Sequence, residues 1–591
     1  MPAPEIALTQ RFQTAFVAAF GPEYAEADPI IRPSQFADFQ CNAAMGLAKR
    51  LGRAPRDIAA EIVEAVDLAD IAEAPEIAGP GFLNIRLRTD WIAAQTAELV
   101  DPSAALGVPA PERAQTVVID YSAPNVAKEM HVGHLRTTVV GDSIVRTLEK
   151  LGHTVVRQNH IGDWGTPFGM LIEHLLEVGE DSAEADLVRT DPNAFYQAAR
   201  AKFDAAESAG VAGSALEGED FASRARRRVA TLQSGDAASL RIWTHLVDLS
   251  KQYFHRIYDM LDVTLTDEHL AGESTYNDLL EAVCDDLETA GIARISDGAL
   301  CVFPEGFTGR DEQPLPLIIR KSDGGYGYAT TDLAAVRHRV GTLGADRIGY
   351  VVGAAQGLHF QMVFTAAREA GWLPAQVEAE HVKIGSVLGE DGKILRTRSG
   401  SSLRLMALLE EAVGTARTVI DELRPDLPEA EREQIAHDIG IGGVKYADLS
   451  TAHDSDYTFD LDRMLALTGN TAPYLQYAVA RIRSISRKAA ARGLTAAAAP
   501  RVDNDAERAL ALALLEFGPT LVSVGAEYEP HRLCAYLFSL AQAFTSFYEA
   551  SPILQDADAE VQAGRLALAE LTERVLVEGL DALGVHAPQQ M

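Results

Sequence analysis

The four residues His131-Val132-Gly133-His134 constrain this chain most, because an apolar run at 116–119 lies shortly before them and an amphipathic stretch begins at Leu135. A short apolar run, a turn and a helical pattern, followed by a second run Thr154-Val155-Val156-Arg157, spell a parallel βαβ unit. At the strand-to-helix turn of such a unit, free backbone amides and the helix macrodipole favour phosphate. Two imidazoles at that turn can both face a nucleotide, and Gly133 between them lets a triphosphate approach closely.

With 591 residues, 47% of them hydrophobic and 23% charged, the chain holds material for several cores. An N-terminal α+β domain is expected over 1–112: residues 5–19 and 36–51 have helical spacing, and 79–88 reads as a β unit. A doubly wound, Rossmann-like α/β domain follows over 113–453, with strands resuming near 317–320, 348–352 and 381–384. A polar, alanine-rich helical insertion at about 180–270, which includes Arg224 to Arg228, interrupts it. From 454 to 591 strand signals vanish and helices are predicted over 461–487, 505–526 and 530–550, with one more near the C-terminus.

A net charge of −33 argues against indiscriminate nucleic-acid binding, so any RNA contact must use local patches. Cys41, Cys284, Cys301 and Cys534 form no C-x-x-C pair, and neither a zinc site nor a disulfide framework is expected. No apolar run approaches the roughly 20 residues that span a bilayer, and residues 1–10 lack the layout of a secretory signal, so the cytoplasm is the expected compartment, with no membrane partner.

The segment from Asp120 to Lys128 offers an acid, a hydroxyl, an amide and an ammonium at the strand edge where open α/β sheets bind ligands. Asn159-His160-Ile161-Gly162-Asp163-Trp164-Gly165 follows the second strand and can supply a close backbone approach and an aromatic wall. Taken alone, His131 and His134 fit an ordinary helix start, Trp164 fits a core, and Asp332 fits a helix first turn.

The ordered set resembles the class I aminoacyl-tRNA synthetases and, within them, the arginyl-tRNA synthetases. The resemblance runs from Asp120 through Arg136 and from Asn159 to Gly169. It continues at Tyr328-Ala329-Thr330-Thr331-Asp332, at Ala355-Gln356-Gly357-Leu358-His359-Phe360 and in the loop Asp391 to Gly400. Arg396-Thr397-Arg398-Ser399-Gly400 lacks the second lysine usual in that loop, and Lys128, just before the first signature, matches the family's substitute countercharge. The scattered cysteines fit less well with a cysteinyl ligase, another enzyme of the same fold.

The resemblance implies ligation of arginine to tRNA(Arg) with ATP and magnesium, and arginine activation that itself requires tRNA. It assigns Lys128, His131, His134, Lys393, Arg396 and Arg398 to catalysis, and Gly133, Gly162, Asp163, Trp164 and His359 to ATP. Recognition of a planar guanidinium calls for carboxylates, and Asp120 and Asp332 are the candidates, with Tyr328 alongside. Ser122, Asn125 and Gln356 would hold the amino acid's other end. Phe82 and Asn84 match a reader of the tRNA D-loop. Tyr474, Tyr477 and Arg481 share one helical face towards the anticodon, with Tyr548 and Met591 near it, although helical aromatics also serve as core. A monomer is expected.

Overall fold

The computed structural model describes residues 3–126, 128–211, 220–309, 312–322, 324–395, 403–555 and 558–591. At its centre is a four-stranded parallel sheet in the spatial order Glu378–Ile384, Arg347–Gly353, Thr116–Asp120, Thr154–Gln158. Val117, Val118 and Ile119 are all buried, as a strand covered on both faces requires. From Thr116–Asp120 the chain steps first to one neighbour and later to the other, which opens a crevice at the carboxyl edge. The helix Val132–Lys150 makes the first crossover and lies close on the sheet: a side chain at Gly141 would strike the Tyr121 ring, 2.4 Å from its Cγ.

Leu317–Arg320, expected among the parallel strands, instead joins Ala293–Ser296 and Ala299–Val302 in a three-stranded antiparallel sheet. Only two residues link the first pair, Asp297 and Gly298, both with positive φ, and so short a link permits no crossover. The insertion is helical, with Pro192–Val211, Phe221–Gln233 and Ala237–Leu261 as its main helices.

At the N-terminus, Pro4–Phe20 is helical, but the stretch 36–51 divides into a strand, Phe39–Cys41, and a helix, Ala43–Leu51. Phe39 and Cys41 both point into the core, an alternation that outweighs helical spacing over so few residues. A further helix, Pro55–Ala65, opens on its proline.

The C-terminal part is helical but for Tyr457–Thr458, which pairs with Val387–Leu388. The predicted 461–487 helix divides into Leu461–Met464 and Ala472–Ala491, the second capped by the Thr471 hydroxyl. The span Asp505–Glu527 corrects the expectation about bilayer-length segments, since its 23 residues are apolar enough to cross by length and composition. It consists of two helices meeting at Glu516, with Leu510, Leu514 and Leu521 buried in the helical core. Arg508 within it donates to Asp38 and to the Leu87 carbonyl of the N-terminal unit.

Candidate active site

His131 is the N-cap of the Val132–Lys150 helix and His134 stands three positions on. The Gly133 N–H donates to His131 Nδ1 at 3.1 Å, and the His131 N–H donates to His134 Nδ1 at 3.1 Å. An amide can only donate, so each Nδ1 is the bare nitrogen and each neutral ring carries its proton on Nε2. Burial, with Lys128 nearby, holds His131 below the usual imidazole range. Burial and the adjacent His131 push His134 down to about 3. Two rings with centroids 4.0 Å apart therefore sit at the helix mouth as uncharged donors.

The chain after 402 is tied to this turn, and the chain before 396 folds back on Val387–Leu388 as a hairpin. Val132 donates its N–H to the Leu403 carbonyl and Leu405 donates to that of Met130, while Leu395 donates to the Val387 carbonyl. Arg136, fully buried, bonds to Asp448 at 3.1 Å and to the Ser455 carbonyl at 2.7 Å, fixing the segment that leads into Tyr457–Thr458 beside the same hairpin. Lys393 is exposed at the hairpin tip. Arg396 and Arg398 lie outside the described residues. The Lys128 ammonium rests 4.1 Å from the Tyr196 ring centroid of the insertion.

Across the crevice the side chains are acidic. Asp332, on the helix Tyr328–Gly341, binds His359 Nε2 through Oδ2 at 2.5 Å. Burial alone would lower His359, but the hydrogen bond to Asp332 raises it above its ordinary value, so this ring serves the carboxylate. Glu273, which the sequence reading missed, is 7% exposed and accepts the Trp164 N–H at 3.2 Å. Burial first, then the charges of Asp163 and Asp332, push its carboxyl up to about 8. A Cβ on Gly165 would lie 3.7 Å from the Tyr328 hydroxyl and 3.8 Å from Glu273 Oε2, so both groups converge on one spot. A cavity of about 720 Å³ opens there, with Trp164, Gly165, Glu273, Tyr328 and Thr331 in its wall and Arg226, Arg227 and Lys321 on its insertion and loop sides.

Four expected ligand residues take other positions. Asp120 Oδ2 receives Arg339 Nη2 at 2.6 Å, both groups buried and the guanidinium 4.8 Å over the Tyr350 ring, so its charge is already matched inside the protein. The Ser122 hydroxyl, 2% exposed, is held by Tyr258 at 2.7 Å and by Thr138 at 2.9 Å. Asp163 accepts both the N–H and the hydroxyl of Ser274, at 2.9 and 2.6 Å, and a Cβ on Gly272 would come within 2.8 Å of its carboxylate. Trp164 donates to Asn277 at 2.8 Å and packs edge-on to Trp243. Asp163 and Trp164 thus support the turn that presents Glu273. Only the local Gly272-Glu273-Ser274 hinted at that turn.

Ser122 and Ala123, with φ of 69° and 45°, swing the chain out of its strand and carry Asn125 over Gly162, where a Cβ would lie 2.8 Å from Asn125 Oδ1. Asn125 is exposed, as is Gln356 at the end of the neighbouring strand's exit turn, so the two flank the crevice.

Two further faces carry the remaining candidates. Phe82 and Asn84 share the outer face of the strand Phe82–Ile85, and Gln40 donates to Asn84 Oδ1 at 2.8 Å. Tyr477 is 48% exposed, Arg481 lies 4.1 Å over the Tyr548 ring, and Tyr474 turns inward against Phe538. The Met591 carbonyl accepts Arg424 at 2.9 Å, docking the C-terminus on the helix pair Leu405–Leu423 and Glu429–Leu449.

A parallel sheet whose switch-point crevice sets neutral imidazole donors at a helix mouth against the carboxylates Glu273 and Asp332 is the frame of an α/β protein with a ligand site at its carboxyl edge. Residues 98–461 match the family model for the catalytic domain of class I (R) tRNA synthetases. Residues 475–591 match the DALR anticodon binding domain and 7–87 the arginyl tRNA synthetase N terminal domain. The chain is 64% identical over 591 residues to the arginine–tRNA ligase of Thermobifida fusca, covering 100% of both, and 47% identical to that of Streptomyces avermitilis, covering 98% of both. Its fold matches the crystal structure of Plasmodium falciparum arginyl-tRNA synthetase with a TM-score of 0.82 at 27% identity, and the Thermus thermophilus arginyl-tRNA synthetase with 0.80 at 25%, over 100% of each chain. The chain belongs to the arginyl-tRNA synthetase family.

Proposed function

We propose that this chain esterifies L-arginine to tRNA(Arg) in two steps. An oxygen of the arginine carboxylate attacks the α-phosphorus of ATP, the bond to the bridging oxygen breaks, and pyrophosphate leaves with the electron pair. A hydroxyl of the 3′-terminal ribose of tRNA then attacks the activated carbonyl carbon, and AMP departs. No protein nucleophile is needed. The enzyme's part is alignment and charge stabilisation at phosphorus.

The observation that carries this reading is the pair Glu273 and Asp332. Two neighbouring carboxylates, one buried until its proton is held to about 8, are poised for a cation. A flat guanidinium satisfies two such acceptors at once, with Tyr328 beside them, whereas an ammonium offers no matching fork. Asp332 and Glu273 therefore take the side chain of arginine, and Asn125 and Gln356 its amino and carboxylate end. Ser122 serves by holding the turn beneath them, His359 by holding Asp332, and Arg339 by neutralising Asp120.

His131 and His134 donate Nε2–H to phosphate oxygens, Gly133 and Gly162 leave room, and Lys128, Lys393, Arg396 and Arg398 supply countercharge. Magnesium travels with the ATP phosphates. Phe82 and Asn84 touch the D-loop, and Tyr477, Arg481 and Tyr548 the anticodon, with Tyr474 and Met591 supporting that face. The units 1–112, 113–453 and 454–591 act as D-loop, catalytic and anticodon domains of a cytoplasmic monomer.

The test is purified chain with ATP, magnesium and tRNA, offered each amino acid in turn. Arginine alone should be esterified. Charging with another amino acid, or none with arginine, overturns the reading.

A further inference from the structure

Between the insertion and the His131 turn lies a second cavity, of about 760 Å³, whose wall sets Lys128, Arg189, Arg256 and Arg404 against Glu129 and Glu410. In a chain of net charge −33 this is a local reversal of sign, and a concave wall concentrates such a field. Arg404 is engaged, with Glu129 at 2.8 Å and Asp191 at 3.4 Å. Arg189 has one exposed contact, 3.7 Å from Asp186. Lys128 and Arg256 lie over the rings of Tyr196 and Tyr253, at 4.1 and 5.6 Å, and among the described residues no carboxylate pairs with either. A cation seated on an aromatic face keeps its N–H edge for an anion.

The cavity adjoins the reacting centre. Lys128 precedes the His131 turn, and Arg404 is bridged through the backbone to His131 itself. We infer that this cavity is a receiving site for inorganic pyrophosphate, the leaving group of the activation step. The inference rests on the reading that ATP is cleaved beside this turn. It adds no bond change, only a place for the product once the bond to the α-phosphorus has broken. Its volume admits pyrophosphate with a hydration shell, and its cations draw the product away from the new acyl phosphate, which opposes the reverse attack. The phosphodiesters of tRNA share the same chemistry, so the test separates the two sources.

The test uses the full chain with tRNA, arginine and ATP, and adds pyrophosphate as inhibitor. The double variant Arg189→Gln/Arg256→Gln should raise the inhibition constant for pyrophosphate about five- to tenfold, as loss of two charge-assisted contacts requires. The KM values for arginine and ATP should stay within about twofold. Glu410→Gln removes an opposing charge and should shift the same constant about twofold the other way. Pyrophosphate inhibition unchanged in both variants overturns the inference. A raised KM for tRNA with unchanged pyrophosphate inhibition assigns the cations to RNA phosphates and overturns it too. A wild-type chain that charges no arginine defeats the functional reading instead, and direct calorimetric titration of wild type and variants with pyrophosphate still decides the cavity.

Discussion

The two walls of the crevice are built on opposite electrostatic plans. The acidic wall concentrates negative charge under cover: Glu273 is buried beside Asp163 and Asp332, and its proton is held up to about 8. The imidazole wall presents neutral rings whose own protonation is suppressed, His134 to about 3, with its charges kept on outlying Lys128 and Lys393. A cationic substrate must displace a proton or relieve repulsion to bind, so the acidic wall selects by charge. A phosphate with shifting charge needs donors already aimed and unable to wander in protonation, so the imidazole wall acts by orientation.

Breaking the acidic wall should have the largest effect. Asp332→Ala removes one of two neighbouring acceptors and leaves partly buried His359 without its partner, a loss of about 4 kcal/mol by the measure of broken charge pairs. The corresponding fall in kcat/KM for arginine is about a thousandfold. Steady-state charging with varied arginine checks it, and tRNA affinity by filter binding should move less than about twofold. Unchanged charging would remove Asp332 from the pocket.

The contrast between the walls also explains which parts were legible in the sequence. His131 and His134 sit in a local turn: cap, glycine and imidazoles are neighbours in the chain, so the helix start could be read from spacing, while a role at phosphate came only with the resemblance. Asp332 was singled out through the resemblance; the expected first-turn position is corrected by the structure, since the helix starts at Tyr328 and Asp332 is its fifth residue. Glu273 was not singled out, because its raised proton affinity comes from burial beside Asp163 and Trp164, residues distant in sequence that the fold brings beneath it. Asp120 shows the reverse. At a strand's carboxyl edge an acid looks available to a ligand, and only the packing of the Tyr328–Gly341 helix reveals that Arg339 has claimed it. The architecture follows the same division. The parallel strands flanking the first βαβ unit and the long C-terminal helices repeat a pattern over many residues, while Phe39–Cys41 and the Ala293–Val302 hairpin are decided by neighbours and by a two-residue link.

On the imidazole wall, orientation can be tested apart from capping. In His134→Asn the amide oxygen can take the place of Nδ1 and still accept the His131 N–H, but the outward Nε2–H donor is gone. Charging should fall about a hundredfold in kcat, the loss typical of one preorganised donor to a developing charge, with KM for arginine little changed. His134→Gln, whose amide nitrogen reaches the Nε2 position, should recover most of that loss. Charging kept in His134→Asn and lost in His134→Gln would mean that the ring serves the helix start alone.

The smallest expected effect sharpens the comparison most, because it reads the acidic wall without altering its shape. A free glutamate gives up its proton near 4.5, whereas Glu273 in the empty pocket holds it to about 8. Between those values the unfolded chain has lost the proton and the folded chain keeps it, so this group's stabilising contribution is complete below about 4.5 and is lost as pH rises through about 8. Arginine binding reverses the preference by placing a guanidinium against the carboxylate, so binding near neutrality must expel a proton. The dissociation constant for arginine should rise about tenfold for each pH unit below 8 until the bound-state pKa is reached. Calorimetry at pH 7 in two buffers of different ionisation enthalpy should register close to one proton released per arginine. Glu273→Gln should bind arginine more weakly at pH 8 and abolish both the proton release and the pH slope. A slope that persists in that variant would assign the titration to Asp163 or His359 and leave Glu273 a packing residue.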